Sequence, residues 1–193
     1  IKRFLPIPQS ELQHFKDKKL NSQIIKERES LKQEYKSFIG WRPNVINLEF
    51  VNISKPYNTR YSIGERLSES TWFFGGSTIW GYGNSDNYTI PSIYSKKNNS
   101  YVFNFGEQAW VTRQSLNQLI NVLGDGYKPE VVVFYGGFND ISVGCRKENH
   151  EIPIHAYQNH ISKIMKNKQG NLKSYTLINF ITEPYIKIYN KLS

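Results

Sequence analysis

Three short segments bring together residue types suited to acyl transfer: Gly75-Gly76-Ser77-Thr78, Asn104-Phe105-Gly106 and Gly137-Phe138-Asn139-Asp140, each at the end of an apolar run. A serine hydroxyl can attack a carbonyl carbon, while a backbone N–H and a side-chain amide hold the oxygen that becomes negative as the bond forms. Glycines at 75 and 76 allow a tight bend before Ser77, and N–H groups at a turn entering a helix favour negative charge. Gly106 is expected to leave its N–H free just past its strand, and Asn139 to aim its amide at the same point. Ser77, Gly106 and Asn139 are therefore the candidate catalytic residues. Ser77 is the nucleophile and the other two are the oxyanion donors, with Asp140 expected to buttress the asparagine loop.

Other chemistries fit less well. A G-x-S-x-G nucleophile elbow needs a glycine where Ile79 stands. No G-x-x-x-x-G-K-S/T phosphate loop occurs, and Gly81-Tyr82-Gly83 is followed by Asp86 where a dinucleotide fingerprint has its third glycine. The single cysteine, Cys145, excludes an intrachain disulfide framework and a cysteine zinc site. His150, His155 and His160 follow one another at five-residue spacing, which spreads them around a helix and gives no metal-binding face. They are the substitute bases the chain offers. No metal and no cofactor is expected.

The elements that must position the three segments are legible in the apolar pattern. Trp72 to Phe74, Tyr101 to Phe105, Val131 to Tyr135 and Tyr175 to Ile181 read as buried strands. Helices are expected near Thr89-Ile90-Pro91, from Thr112 to Leu123 and from His155 to Met165. Pro91 suits a first helical turn, where its missing N–H costs nothing. This alternation predicts an α/β/α sandwich, three layers around a parallel sheet, with ligands at the carboxyl ends of the strands.

Ahead of it, Pro6 and Pro8 precede Ser10-Glu11-Leu12-Gln13, which has capping-box spacing. A helix with one docking face is expected from Leu12 to about Tyr35. Gly40-Trp41-Arg42-Pro43 breaks it, Val45 to Ile53 alternates like a half-exposed strand, and 58–66 is expected to be a loop or short hairpin. The expected organisation is an N-terminal helix and strand extension over 1–66 and an α/β domain over 67–193.

The chain has 193 residues with 38% hydrophobic and 15% aromatic content, enough for one well-buried domain with an appendage. Its net charge of +9 could draw anions. The excess is spread over separate lysines such as Lys96, Lys97, Lys163 and Lys166, with no basic stripe interleaved with aromatics, so no nucleic-acid partner is expected. No stretch approaches the roughly 18 apolar residues of a membrane span, and no membrane anchor is visible. Compartment and oligomeric state have no sequence signal here.

Phe74-Gly75-Gly76-Ser77-Thr78-Ile79-Trp80-Gly81 resembles the first block of the SGNH hydrolases, also called the GDSL-like family, in which a nucleophilic serine follows the first strand. Asn104-Phe105-Gly106 is similar to the second block, whose glycine N–H is an oxyanion donor. Gly137-Phe138-Asn139-Asp140 matches the G-x-N-D of the third, whose asparagine is the other donor. Gly40-Trp41-Arg42-Pro43 and Thr89-Ile90-Pro91-Ser92 look like a bacterial subgroup with an N-terminal extension. The resemblance covers roughly 70–140 and implies a flavodoxin-like fold. It also implies a serine esterase that cleaves an O-acyl ester, a carbohydrate O-acetyl or a small ester, through an acyl-serine.

The family's last block, D-x-x-H, has no counterpart: no aspartate follows Asp140 and no histidine follows His160. The Tyr175 to Ile181 run with Thr182-Glu183-Pro184 resembles the strand before that block, so the α/β domain is expected to be incomplete at its C-terminus. The alternatives are a catalytically impaired binding domain with the same crevice, and an O-acyltransferase acting on a surface glycan.

Overall fold

In a computed structural model the protein is described over residues 17–63 and 67–145, together with 155, 157, 158, 161–163 and 166. Residues 1–156 form one compact unit and 157–193 a second, and the sheet and its helices lie in the first. The Ser10 to Gln13 capping box and the Tyr175 to Ile181 strand fall outside the described residues, as do five of the eleven positions of the His155 to Met165 helix.

Helix α1 spans Lys18–Ser30. It starts where extended Asp17 accepts a 3.0 Å hydrogen bond from the Leu20 N–H, as a good N-cap does. Helical structure does not run on to Tyr35. Gln33–Lys36 form strand β1, paired antiparallel with β2 at Gly40–Pro43. Gly40 enters β2 at φ +90°, which glycine tolerates. Tyr35 and Trp41 face each other across the hairpin with ring centroids 5.3 Å apart, a cross-strand contact stronger than the helical tendency of the polar residues around it.

Five further strands make one sheet: β3 (Ile53–Ser54), β4 (Thr59–Ile63), β5 (Thr71–Gly75), β6 (Val102–Asn104) and β7 (Val131–Tyr135), in the order β3-β4-β6-β5-β7. β5 runs parallel to β6 and β7, whereas β4 is antiparallel to β6 and β3 to β4. The protein is thus mixed α/β, and its sheet is mixed where a parallel one is expected. The difference comes from β4, in the stretch expected to be a loop or short hairpin: it does form a hairpin with β3, and it also pairs antiparallel with β6. The Val45 to Ile53 segment contributes only the start of β3 and an isolated bridge between Ile46 and Ile53. Its backbone is diverted: the N–H groups of Phe50 and Val51 donate to Glu27 Oε2 at 2.9 and 3.0 Å, and Leu48 N–H donates to Asn52 Oδ1 at 2.8 Å.

Side chains alternate across β5 as the pleat requires. Trp72 and Phe74 pack with Phe105 and with Leu119 and Val122 of α4 (Thr112–Gly124). Phe73 packs with Ile79 of α2 (Ser77–Trp80), with Tyr94 of α3 (Ile90–Asn98) and with Val133. Pro91 lies in the first turn of α3, as expected, behind a Thr89 cap. From β5 the chain passes through α3 to β6 on one side, then through α4 to β7 on the other. Connections that reverse about a central strand leave a crevice beyond that strand's carboxyl end.

Candidate functional site

All three candidate segments lie beyond the carboxyl ends of β5, β6 and β7. Gly75 closes β5 opposite Tyr135. Gly76 is extended at φ −86°, ψ −153°, and Ser77 opens the single turn of α2. The turn is short because Gly81, at φ +86°, and Tyr82 both donate their N–H to the Ser77 carbonyl at 3.0 Å. Ser77 is half-buried.

Asn139 reaches the same place from α5 (Phe138–Gly144), entered through Gly137 at φ +101°. Its Nδ2 donates to the Trp110 carbonyl at 2.8 Å, which leaves the second amide hydrogen for another acceptor. A Cβ on Gly76 would come within 2.6 Å of that nitrogen. Only a glycine next to Ser77 lets the amide approach so closely. Asp140 accepts from the N–H of Thr112 at 3.0 Å and from its hydroxyl at 3.0 Å, the buttressing role expected of it.

Gly106 is packed against α2, where a Cβ would lie 2.6 Å from the Trp80 nitrogen. Its N–H, however, is not free. It donates to Asn104 Oδ1 at 3.1 Å, while Asn104 Nδ2 donates to the Ile79 carbonyl at 2.9 Å. Asn104 is fully buried, so both ends of its amide must find partners, and the nearby N–H of Gly106 is one. Beyond β6 the parallel ladder continues: Phe105 N–H donates to the Phe73 carbonyl at 2.8 Å and Glu107 N–H to the Gly75 carbonyl at 3.0 Å.

Two buried arginines lie behind these loops. Arg42 Nη1 is 3.3 Å from Glu107 Oε2, 3.4 Å from the Gly106 carbonyl and 3.5 Å from that of Phe105. Its Nη2 is 3.3 Å from the Tyr57 carbonyl, and the guanidinium lies over the Trp110 ring at 4.9 Å. Burial pushes the Glu107 carboxyl up to about 7 against the pull of Arg42, and it lowers the Arg42 pKa. Arg60, on β4, pairs with Asp86 at 2.6 Å and donates to the carbonyls of Trp80 at 3.1 Å and Asn84 at 2.7 Å, with its guanidinium over the Trp80 ring. It therefore holds the far end of the Ser77 turn. Burial raises the Asp86 pKa, and Arg60 opposes the rise.

Arg42, Arg60, Asn104, Glu107 and Trp110 escaped sequence reasoning. The hint for Arg42 is its place in Gly40-Trp41-Arg42-Pro43, a segment expected to break the first helix and to carry part of the resemblance to the subgroup with an N-terminal extension. His155 packs against Gly40 and sits 5.4 Å from the Trp41 ring, centroid to centroid, where burial lowers its pKa. His150 and His160 lie outside the described residues. Among the described residues no hydrogen bond joins the Ser77 hydroxyl to a base. No group of three or more His, Cys, Asp or Glu among them could hold a metal, and none of their helices is long and apolar enough to cross a membrane.

No protein-family model and no curated protein matches the chain.

Proposed function

We propose that Ser77 is the nucleophile of an SGNH-like acyl-transfer site that acts on O-acyl esters. The observation that carries this reading is the closeness of the Asn139 amide to Gly76, which sets an N–H donor beside the residue preceding the serine. In the reaction, Ser77 Oγ attacks the ester carbonyl as its proton passes to water, the carbonyl oxygen takes the negative charge, and collapse breaks the ester C–O bond so that the alkoxide leaves, protonated by water to the alcohol, as the acyl-serine forms. Water then attacks the acyl-serine and releases the acid. Asn139 supplies its second amide hydrogen to the oxyanion, and the Gly106 N–H supplies a second donor by sharing or exchanging its bond to Asn104. Removing one such donor typically costs about 10²- to 10³-fold.

The fold reading goes with it. Parallel crossovers are right-handed, so the β5-to-β6 and β6-to-β7 connections, which run in opposite directions across the sheet, put α3 and α4 on opposite faces. This supports a three-layer α/β/α arrangement with the serine turn at its switch point. A carbohydrate O-acyl group or a small ester is the substrate class that the resemblance implies.

A second reading, a binding domain that keeps the crevice without turnover, is favoured by the Gly106 N–H being already bonded to Asn104. The test is acylation by p-nitrophenyl acetate, followed by release of p-nitrophenol and by the mass of the Ser77 peptide. Wild type is expected to release nitrophenol above background and to carry acetyl on Ser77, while Ser77→Ala does neither. Equal background release from both proteins, with no acetylated peptide, would exclude the enzyme and leave the binding domain.

A further inference from the structure

We propose that Arg42 is a positioning residue for both oxyanion donors, holding the Gly106 and Asn139 loops in register from a hairpin outside the main sheet. This inference rests on the acyl-transfer reading of Ser77. Arg42 lies on β2, in the separate two-stranded sheet, and is 1% exposed. The Phe105 carbonyl and the Gly106 N–H belong to one peptide unit, and the Gly106 carbonyl and the Glu107 N–H to the next. Nη1 of Arg42 reaches both carbonyls, at 3.5 and 3.4 Å. It therefore restrains the two peptide planes that flank Gly106, including the one whose N–H is bonded to Asn104 and is assigned to the oxyanion by the acyl-transfer reading. A carbonyl that accepts a charged hydrogen bond also polarises its own peptide, which strengthens that N–H as a donor.

The same guanidinium lies over the Trp110 ring, with Cζ 4.9 Å from the ring centre, and the Trp110 carbonyl accepts from the Asn139 amide at 2.8 Å. Trp110 N–H returns to the Glu107 carbonyl at 3.3 Å. Thus one side chain restrains the Gly106 peptide through Nη1 and the Asn139 anchor through its contact with the Trp110 ring. Lysine cannot replace it, since a single ammonium offers neither a planar fork nor a stacking face.

The experiment compares Arg42→Lys with wild type in the full chain, using a fluorophosphonate probe whose labelling of Ser77 passes through the same oxyanion geometry. Amide hydrogen exchange at Gly106 is the second readout. Val122→Ala, a core truncation in α4, controls for simple loss of stability, and Ser77→Ala controls for the acyl-transfer reading.

The expected result is a labelling rate about 10²-fold lower in Arg42→Lys, the size of a lost oxyanion donor, with faster exchange at Gly106 and little change in Val122→Ala. Wild-type labelling and exchange in Arg42→Lys, while Ser77→Ala goes unlabelled, would overturn the positioning role and leave the nucleophile standing. Equal losses in Arg42→Lys and Val122→Ala would reduce Arg42 to a stability residue. Labelling of Ser77→Ala at the wild-type rate would remove the acyl-transfer reading and this proposal with it. Arg42→Lys that fails to fold leaves wild-type exchange at Gly106 as the deciding measurement: an amide exchanging as fast as exposed loop amides overturns the claim that Arg42 holds it.

Discussion

Glu107 should make the protein less stable as the pH rises towards neutrality, a direction opposite to that of an ordinary salt-bridged carboxylate. Its carboxyl is fully buried beside Arg42. Desolvation outweighs the attraction, so it stands at about 7 in the folded protein against its ordinary 4.5. Between those values the folded state holds a proton that the unfolded chain has released, and stability then falls with rising pH. The contribution is fully present below about pH 4.5 and is lost as the pH passes about 7. At about 1.4 kcal/mol per pH unit of displacement, it amounts to roughly 3 kcal/mol.

The assay is urea unfolding of wild type and Glu107→Gln at matched pH values from about 4 to 8. The amide keeps the shape of the side chain and cannot ionise, so the difference between the two proteins isolates this group from every other titration. Wild-type stability minus that of Glu107→Gln is expected to drop by about 3 kcal/mol across the range, mostly between pH 5 and 7. A difference that rises with pH would mean that Arg42 holds Glu107 ionised, and it would refute the claim that burial dominates this pair.

Two further outcomes follow from the packing. In Gly76→Ala the new Cβ lies 2.6 Å from Asn139 Nδ2, so the amide must retreat by about 1 Å. Labelling of Ser77 is then expected to fall by about 10²-fold, the cost of such a misplacement, with an unchanged circular dichroism spectrum; full activity would show that the amide is not part of the site. Arg60→Ala removes the ion-pair partner of Asp86, which keeps its bonds from Asn52, and leaves the Trp80 and Asn84 carbonyls unmet. It should cost about 3–5 kcal/mol in urea unfolding, and a loss under about 1 kcal/mol would refute the reading of Arg60 as the anchor of the Ser77 turn.

The parts of the fold that local pattern reveals are those whose cause is local. Val131 to Tyr135 is an unbroken apolar run and is β7 residue for residue, although all but the half-buried Val133 are exposed where a buried strand is expected. Thr89-Ile90-Pro91 starts α3 because a threonine cap and a proline act within one turn. β4 was hidden for the opposite reason. Thr59-Arg60-Tyr61-Ser62-Ile63 has a charge at its centre, and nothing nearby says that Arg60 is fully buried, since its partner Asp86 lies 26 positions away. The Tyr35 end of the expected first helix is β1 for a similar reason, because the contact that makes it a strand is with Trp41 across a turn.

The same distinction governs the site. The residue types of the proposed site and their order are legible, because a serine, a glycine and an asparagine at three strand ends are local facts. Whether a donor is free is not a local fact. Asn104, read only as part of a strand end, takes the Gly106 N–H because its own burial demands a partner. The groups that set the geometry of both donors come from β2 and from the turn at Trp110, 64 and 29 positions from the residues they hold. A charged residue in a polar N-terminal stretch is ordinarily solvated. Arg42 departs from that rule because three backbone carbonyls and one carboxylate replace its water. Such a replacement is stable only if the loops keep their positions, so the arginine and the donor loops define one another. A substitution that disturbs either side should therefore register at the other.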